Sequence, residues 1–88
     1  MNIDQLNLST RQKCVLQCVI DASTEKKRPF TKGIVLRMKN KGHIISEKQC
    51  AYDLGVIIRT KGTNVISFKM SGYPAIWIYK LPKPKEDS

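Results

Sequence analysis

Residues 45–62, ISEKQCAYDLGVIIRTKG, have the pattern of a capped amphipathic helix. Ser46 and Gln49 form an S-x-x-Q capping box, in which each side chain can satisfy a free backbone amide at the start of a helix. The apolar residues share one face, which carries Cys50, Leu54, Ile57 and Ile58, with Ala51 at its edge. The opposite face is polar and cationic, and it carries Lys48, Tyr52, Gly55 and Arg59 beside Gln49 and Val56. We therefore predict one helix over residues 46–61, ended by Gly62.

A shorter helix is the alternative. Gly55 could end it early, and the β-branched run at residues 56–58 could form a strand that pairs with residues 65–69 across the sequence KGTN. We favour the longer helix, because Leu54, Ile57 and Ile58 fall on the same helical face as Cys50.

Two more helices are predicted upstream. Ser9 and Gln12 form a first capping box, and apolar residues recur at helical spacing until the helix fades at residues 21–24. Residues 25–29 form a charged loop that ends in proline. Thr31 is the expected N-cap of the second helix, which stops at residues 40–42, where Gly42 suits a left-handed position.

The remainder of the sequence predicts a β-hairpin, and both ends of the chain are predicted to lie outside the folded domain. Residues 64–70 and 75–81 form the strands, residues 71–74 form the turn, and Trp77, Tyr79 and Leu81 share one face. We assign residues 8–81 to one domain, residues 1–7 to a flexible N-terminus and residues 82–88 to a disordered tail.

Charge points to a polyanionic partner. The 88 residues carry a formal net charge of +9, and residues 26–46 and 54–85 contain no acid. Such acid-free stretches favour DNA, RNA or an acidic membrane surface as the partner. The N-terminus lacks the pattern of a signal peptide, and no stretch approaches the ~20 apolar residues of a membrane span. We expect a cytoplasmic (nucleoid-associated) or nuclear protein that is not secreted.

The order helix, helix, short turn, helix, hairpin resembles the winged helix-turn-helix superfamily. The residues that carry the resemblance are Phe30, Thr31, Gly42, Ile45, Ser46, Leu54, Ile57 and Gly62. The resemblance implies an α+β fold, with a three-helix helix-turn-helix core and a C-terminal hairpin wing. It also implies that the third helix enters the major groove of DNA.

Residues near the start of the third helix would then reach base edges: Ser46, Lys48, Gln49 and Tyr52. Gln49 can pair with adenine and Lys48 with guanine, although Gln49 could instead turn back to complete the capping box. Glu47 and Asp53 reduce the positive charge of this helix. Other cations suit phosphates, and they are Arg59, Lys61, Lys32, Lys27 and Arg28. Lys69 and Tyr73, on the wing, could reach the minor groove or the backbone.

The sequence gives little support to zinc binding, to stacking on single-stranded bases or to catalysis. Cys14, Cys18, Cys50 and His43 lack the spacing of a zinc site, and we interpret the cysteines as core residues. Trp77, Tyr79 and Phe68 could stack on single-stranded bases, but core positions are the favoured interpretation. No catalytic grouping appears, so we expect no enzyme, cofactor, metal or small-molecule substrate.

The leading hypothesis is a sequence-specific double-stranded DNA-binding protein, either a transcriptional regulator or a control factor of DNA rearrangement. One alternative is a protein-interaction module, such as a polymerase or assembly subunit, that uses Val56, Ile78 or the hairpin edge. Another is an RNA-binding protein. A homodimer would suit a DNA-binding protein of this size, because two half-sites multiply specificity.

Overall fold

A computed structural model describes residues 3–80. They form three helices, two of them capped by serine, followed by two short strands. The helices are α1 (Thr10–Thr24), α2 (Thr31–Asn40) and α3 (Glu47–Arg59), and the strands are β1 (Val65–Phe68) and β2 (Ile76–Tyr79). The predicted α+β class and element order are confirmed. Three helices followed by an antiparallel hairpin are compatible with a winged-helix layout.

The first capping box forms as predicted. Ser9 Oγ accepts from the Gln12 backbone N–H at 3.2 Å, and the Ser9 N–H donates to Gln12 Oε1 at 3.1 Å. Each bond satisfies a backbone amide that the helix itself cannot pair. Upstream of this cap, Ile3–Gln5 is a short 3₁₀ helix, and Ile3 and Leu6 pack against the core. Those residues belong to the segment that we assigned to a flexible N-terminus.

The start of α2 differs from the prediction by one residue. Phe30 is the N-cap and has no side-chain cap bond, whereas Thr31 is already helical. The Thr31 hydroxyl is used elsewhere, because Thr31 Oγ1 accepts from the indole N–H of Trp77 at 3.0 Å. This bond ties the start of α2 to the hairpin.

The end of α2 is a glycine stop, as predicted. Gly42 has φ +89°, which is the left-handed region that glycine enters without a steric penalty. The Gly42 N–H donates to Lys39 O at 2.9 Å, and the His43 N–H donates to Met38 O at 2.9 Å. These two bonds are those of a Schellman motif, which turns the chain sharply towards α3.

The hairpin strands are shorter than predicted and pair in one register. Val65 lies opposite Tyr79, and Phe68 lies opposite Ile76. Val65, Trp77 and Tyr79 face the core and are buried. Trp77 and Tyr79 are therefore core residues, in agreement with the favoured interpretation. The interpretation is wrong for Phe68, which is 56% exposed because it lies on the opposite face of β1 from Val65. Leu81 and residues 82–88, to which we also assigned roles, lie outside the described residues.

The core is one cluster between the three helices and the inner face of the hairpin. Its fully buried members from the helices are Val15, Leu16, Cys18, Val19, Ala22, Ile34, Met38, Cys50, Leu54 and Ile57. Two residues that we placed on the apolar face of α3, Ala51 and Ile58, are instead exposed.

The cysteines are free thiols of this core. Cys18 and Cys50 are buried and Cys14 is half-buried. Burial raises the pKa of Cys18 to about 11 and that of Cys50 to about 12. Both thiols are therefore protonated near neutral pH and are poor nucleophiles.

Candidate nucleic-acid interface

The third helix is unbroken, and Gly55 lies within it. Because α3 is continuous from Glu47 to Arg59, the alternative in which Gly55 ends the helix and residues 56–58 form a strand is wrong. The helix ends two residues before the predicted residue 61, and Thr60 is its C-cap. The Arg59 guanidinium folds back along the helix, so that its Nη1 atom lies 3.5 Å from the position that a Cβ at Gly55 would take. That distance is an ordinary van der Waals contact, so the position of this arginine does not require a glycine at residue 55.

The start of α3 carries an open depression of about 350 Å³, lined by Ser46, Lys48, Gln49 and Tyr52. All four were predicted to reach a nucleic acid, and the helix brings them together. Lys48 is exposed and Tyr52 is 61% exposed. The Ser46 hydroxyl is occupied as a cap, because it accepts from the Gln49 backbone N–H at 3.0 Å.

A buried carboxylate lies behind this depression. Asp53, which we expected to lower the charge of the outer surface, is fully buried instead. It is held by Arg11 of α1, whose Nε and Nη2 donate to Oδ2 at 2.8 Å and to Oδ1 at 3.1 Å. The side-chain amides of Gln12 and Gln49 each donate to Oδ1 at 3.3 Å. A buried charge is tolerated only when it is paired and hydrogen-bonded, and these four bonds meet that requirement.

The hydrogen bonds to Asp53 fix the position of the Gln49 side chain. It does not turn back to the Ser46 N–H, so the second capping box is only half formed. Its Nε2 donates to Asp53 instead. A primary amide has two N–H donors and one carbonyl acceptor, so one N–H and Oε1 are left over from this bond. A donor beside an acceptor is the combination that can read the major-groove edge of adenine.

Arg11 is a site residue that sequence analysis missed. Its side chain is 43% exposed, and the hydrogen bond and charge of Asp53 raise its pKa above the usual arginine value. One signal was available in the sequence. Asp53 follows Cys50 by three residues and precedes Leu54 and Ile57, so a carboxylate stands within the apolar stripe and requires a cationic partner.

The other predicted residues lie apart from this depression. Lys61 is exposed in the loop after α3, and Lys32 is exposed on α2. Lys27 and Arg28 lie in the loop before α2 and line clefts that include no residue of α3. Lys69 is exposed at the end of β1, and Tyr73 lines an apolar groove with Phe68. The predicted residues therefore do not form one surface. Four line the depression on α3, and the others lie at the end of α3 and after it, on α2, on the basic loop (residues 25–29) and on the hairpin.

Ion pairs neutralise some cations near the basic loop. Arg37 donates to Glu25 at 2.8 Å, and Lys41 donates to Asp21 at 3.2 Å. Lys27 lies 3.8 Å from Glu25, with both side chains well exposed. Exposed pairs of this kind contribute little to stability, but they reduce the charge that is available to a ligand.

Within residues 3–80, no group of three or more His, Cys, Asp and Glu side chains could hold a metal ion, and no helix is both long and apolar enough to cross a bilayer.

Comparison with models of known families, with curated proteins and with solved structures gives no match.

Proposed function

We propose that this protein binds double-stranded DNA sequence-specifically, with α3 in the major groove. The observation that carries the proposal is the Gln49 amide. It is held from behind by the buried Asp53 and lies beside the exposed Lys48 and Tyr52 on an unbroken helix.

Positioning matters because a flexible side chain loses entropy when it binds. The bond from Gln49 Nε2 to Asp53 restricts the amide before any ligand arrives, and Arg11 fixes the carboxylate in turn. An amide held in this way could discriminate for adenine by ~1–3 kcal/mol. Lys48, two residues after the N-cap, could donate to guanine in the same groove.

Phosphate contacts would come from the cations around α3. Arg59 and Lys61 are exposed at its C-terminal end, where they could bind the DNA backbone and supply affinity without sequence information. With a formal charge of +9, we expect an affinity that falls steeply as salt rises.

Selection of bound duplexes from a random pool, at moderate salt, is the decisive experiment. We expect a defined motif that contains adenine. Gln49→Ala should remove the preference at one base pair and leave non-specific affinity nearly unchanged. Gln5→Ala is the matched control, because Gln5 is an exposed glutamine outside α3.

Two results would contradict the proposal. One is that Lys48→Ala and Arg59→Ala leave the affinity for every duplex unchanged. The other is that duplex RNA or single strands compete better than the selected DNA, which would favour the RNA-binding alternative.

A further inference from the structure

The outer face of the hairpin is apolar and uncovered in the described part of the chain. Strand residues alternate between two faces, and here Val65, Trp77 and Tyr79 take the inner one. The outer face exposes Ile66, which is 42% exposed, and Phe68, which is 56% exposed. Neither side chain is needed to fill the core.

Strand register places three large apolar side chains in one row. Phe68 of β1 lies opposite Ile76 of β2, and Phe30 forms an antiparallel bridge with Ile76 from the other side. The Trp77 N–H donates to Pro29 O at 3.0 Å, which holds that third segment in place. Directly opposed residues on one face of a sheet are side-chain neighbours, so Phe30, Ile76 and Phe68 form a continuous surface.

The hairpin turn makes this surface concave. Met70, Tyr73 and Pro74 lie beside the row and close a groove of about 250 Å³ with almost wholly apolar walls. Met70 is 59% exposed and Tyr73 is 62% exposed. A contiguous exposed apolar patch of this kind marks an interaction site more often than chance exposure does. Its size suits one or two large side chains of a partner.

The other end of the same face is cationic. Continuing the antiparallel pairing from Phe30 and Ile76 puts Arg28 beside Ile78, and Lys80 follows Ile78 on the same side of the strand. Lys26, Lys27, Arg28 and Lys80 line one cleft there, and no acidic residue within residues 3–80 lines it with them. A ligand of this face therefore meets an apolar groove at one end and four cations at the other, of which Lys27 lies 3.8 Å from Glu25.

We propose that this outer face docks an acidic, amphipathic segment of a protein partner. An apolar side chain of the segment would fill the groove at Phe68, and its carboxylates would lie over Arg28 and Lys80. A second copy of this chain fits less well, because two molecules that each carry a formal +9 repel. The apolar groove offers few polar groups to a nucleic acid, and a concave site is poorly shaped for insertion into a bilayer.

This surface is separate from the one proposed for DNA. The groove and the cationic cleft share no residue with the depression at Ser46, Lys48, Gln49 and Tyr52. Lys27, Arg28 and Tyr73, for which the sequence also predicted nucleic-acid contacts, line this surface. Its test therefore uses Phe68 and Met70, to which no contact with duplex DNA was assigned.

The test uses a displayed library of random peptides, about a dozen residues long, selected on the full chain. We expect enriched peptides that combine aromatic or long aliphatic residues with Asp or Glu. Phe68→Glu should weaken the binding of a synthesised enriched peptide by about tenfold or more, as loss of a central apolar anchor does. Tyr52→Ala, which removes an equally exposed aromatic residue from α3, should leave peptide binding unchanged.

A second variant and three assays keep the result decisive. Met70→Ser, outside the strands, should also weaken the peptide if Phe68→Glu fails to fold. The proposal is overturned if enriched peptides lack acidic residues or bind both variants as tightly as the wild type. It is also overturned if the wild type sediments as a dimer that Phe68→Glu dissociates. Phe68-dependent binding to vesicles of phosphatidylcholine and phosphatidylserine, without peptide binding, would overturn it as well.

Discussion

Position 53 places a carboxylate in a helix stripe that is otherwise made of Cys50, Leu54 and Ile57. Such a group is stable in a core only if a cation and hydrogen-bond donors reach it. Arg11 supplies the charge from another helix and two amides supply the remaining bonds. The same residue therefore joins α1 to α3 and orients the side chain that we propose reads DNA.

Removing the arginine should destabilise the fold. Arg11→Ala would leave Asp53 buried without its cation, and breaking a buried pair in this way costs about 3–5 kcal/mol. Because the Arg11 side chain is 43% exposed, water can partly replace it, and we expect a smaller loss than for a fully buried pair. Urea unfolding of the wild type and the variant measures this difference in the free energy of unfolding.

Two comparisons separate this effect from a general loss of charge. Lys61→Ala, which removes an exposed cation from a loop, should change stability by less than about 0.5 kcal/mol. The double variant Arg11→Met with Asp53→Leu should recover most of the lost stability, because it removes both charges together. Equal destabilisation by Arg11→Ala and Lys61→Ala would refute a structural role for the pair.

At the scale of single elements, α3 contains a replaceable glycine. Gly55→Ala should stabilise the protein by up to about 1 kcal/mol, because alanine loses less backbone entropy than glycine in a helix. The added Cβ would meet Arg59 Nη1 at 3.5 Å, an ordinary contact. Thermal unfolding measures the gain.

Gly42→Ala is the matched control on α2. Nothing lies within 4 Å of a Cβ at that position, but φ is +89°. The variant should therefore lose about 1 kcal/mol from backbone strain alone. If both alanines shift stability in the same direction, the conformational argument for α3 does not hold.

Local chemistry explains which elements could be predicted. The Ser9 and Ser46 caps and Gly42 act over a few residues, so the sequence pattern was sufficient to place α1, α3 and the end of α2. Long-range partners could not be predicted in the same way. Thr31 bonds Trp77, 46 residues away, and Asp53 bonds Arg11, 42 residues away. Their side chains were consequently misassigned to a cap and to the outer surface.

The molecule as a whole is strongly positive, but its net charge of +9 did not predict where on the surface the cations lie. The cations of α3 and those of the basic loop lie on different surfaces. Glu25 pairs with Arg37 and with Lys27 of the loop, and Asp21 pairs with Lys41. A chain that carries +9 depends on those few acids to limit repulsion between its cations.

This dependence predicts sensitivity to acid. The hydrogen bond from Arg37 lowers the pKa of Glu25. Burial alone would raise the pKa of Asp21, but hydrogen bonds from Gln17 and Lys41 outweigh it and lower that pKa overall. A carboxyl group with a lower pKa in the folded state stabilises the fold above its unfolded pKa. That stability is lost as pH falls through the folded value.

We therefore expect the free energy of unfolding to fall as pH drops below about 4.5, the usual range of these carboxyl groups. Denaturant unfolding at a series of pH values measures it. A Glu25→Gln variant should be only slightly less stable at neutral pH, because the pair is exposed, and it should lose less stability on acidification. Gln5→Ala, an exposed residue that does not titrate, is the control and should keep the wild-type slope. If the free energy of unfolding changes with pH equally in all three proteins, Glu25 is not a source of the acid sensitivity.

Gln12 takes part in both the cap of α1 and the Asp53 network, since its Oε1 accepts from Ser9 and its Nε2 donates to Asp53. One planar amide thus spans the beginning of the first helix and the middle of the third. Fraying at Ser9 should therefore weaken the bonds of Gln12 and Gln49 to Asp53. We expect the hydrogen-exchange protection of the amides at the two helix starts to change together.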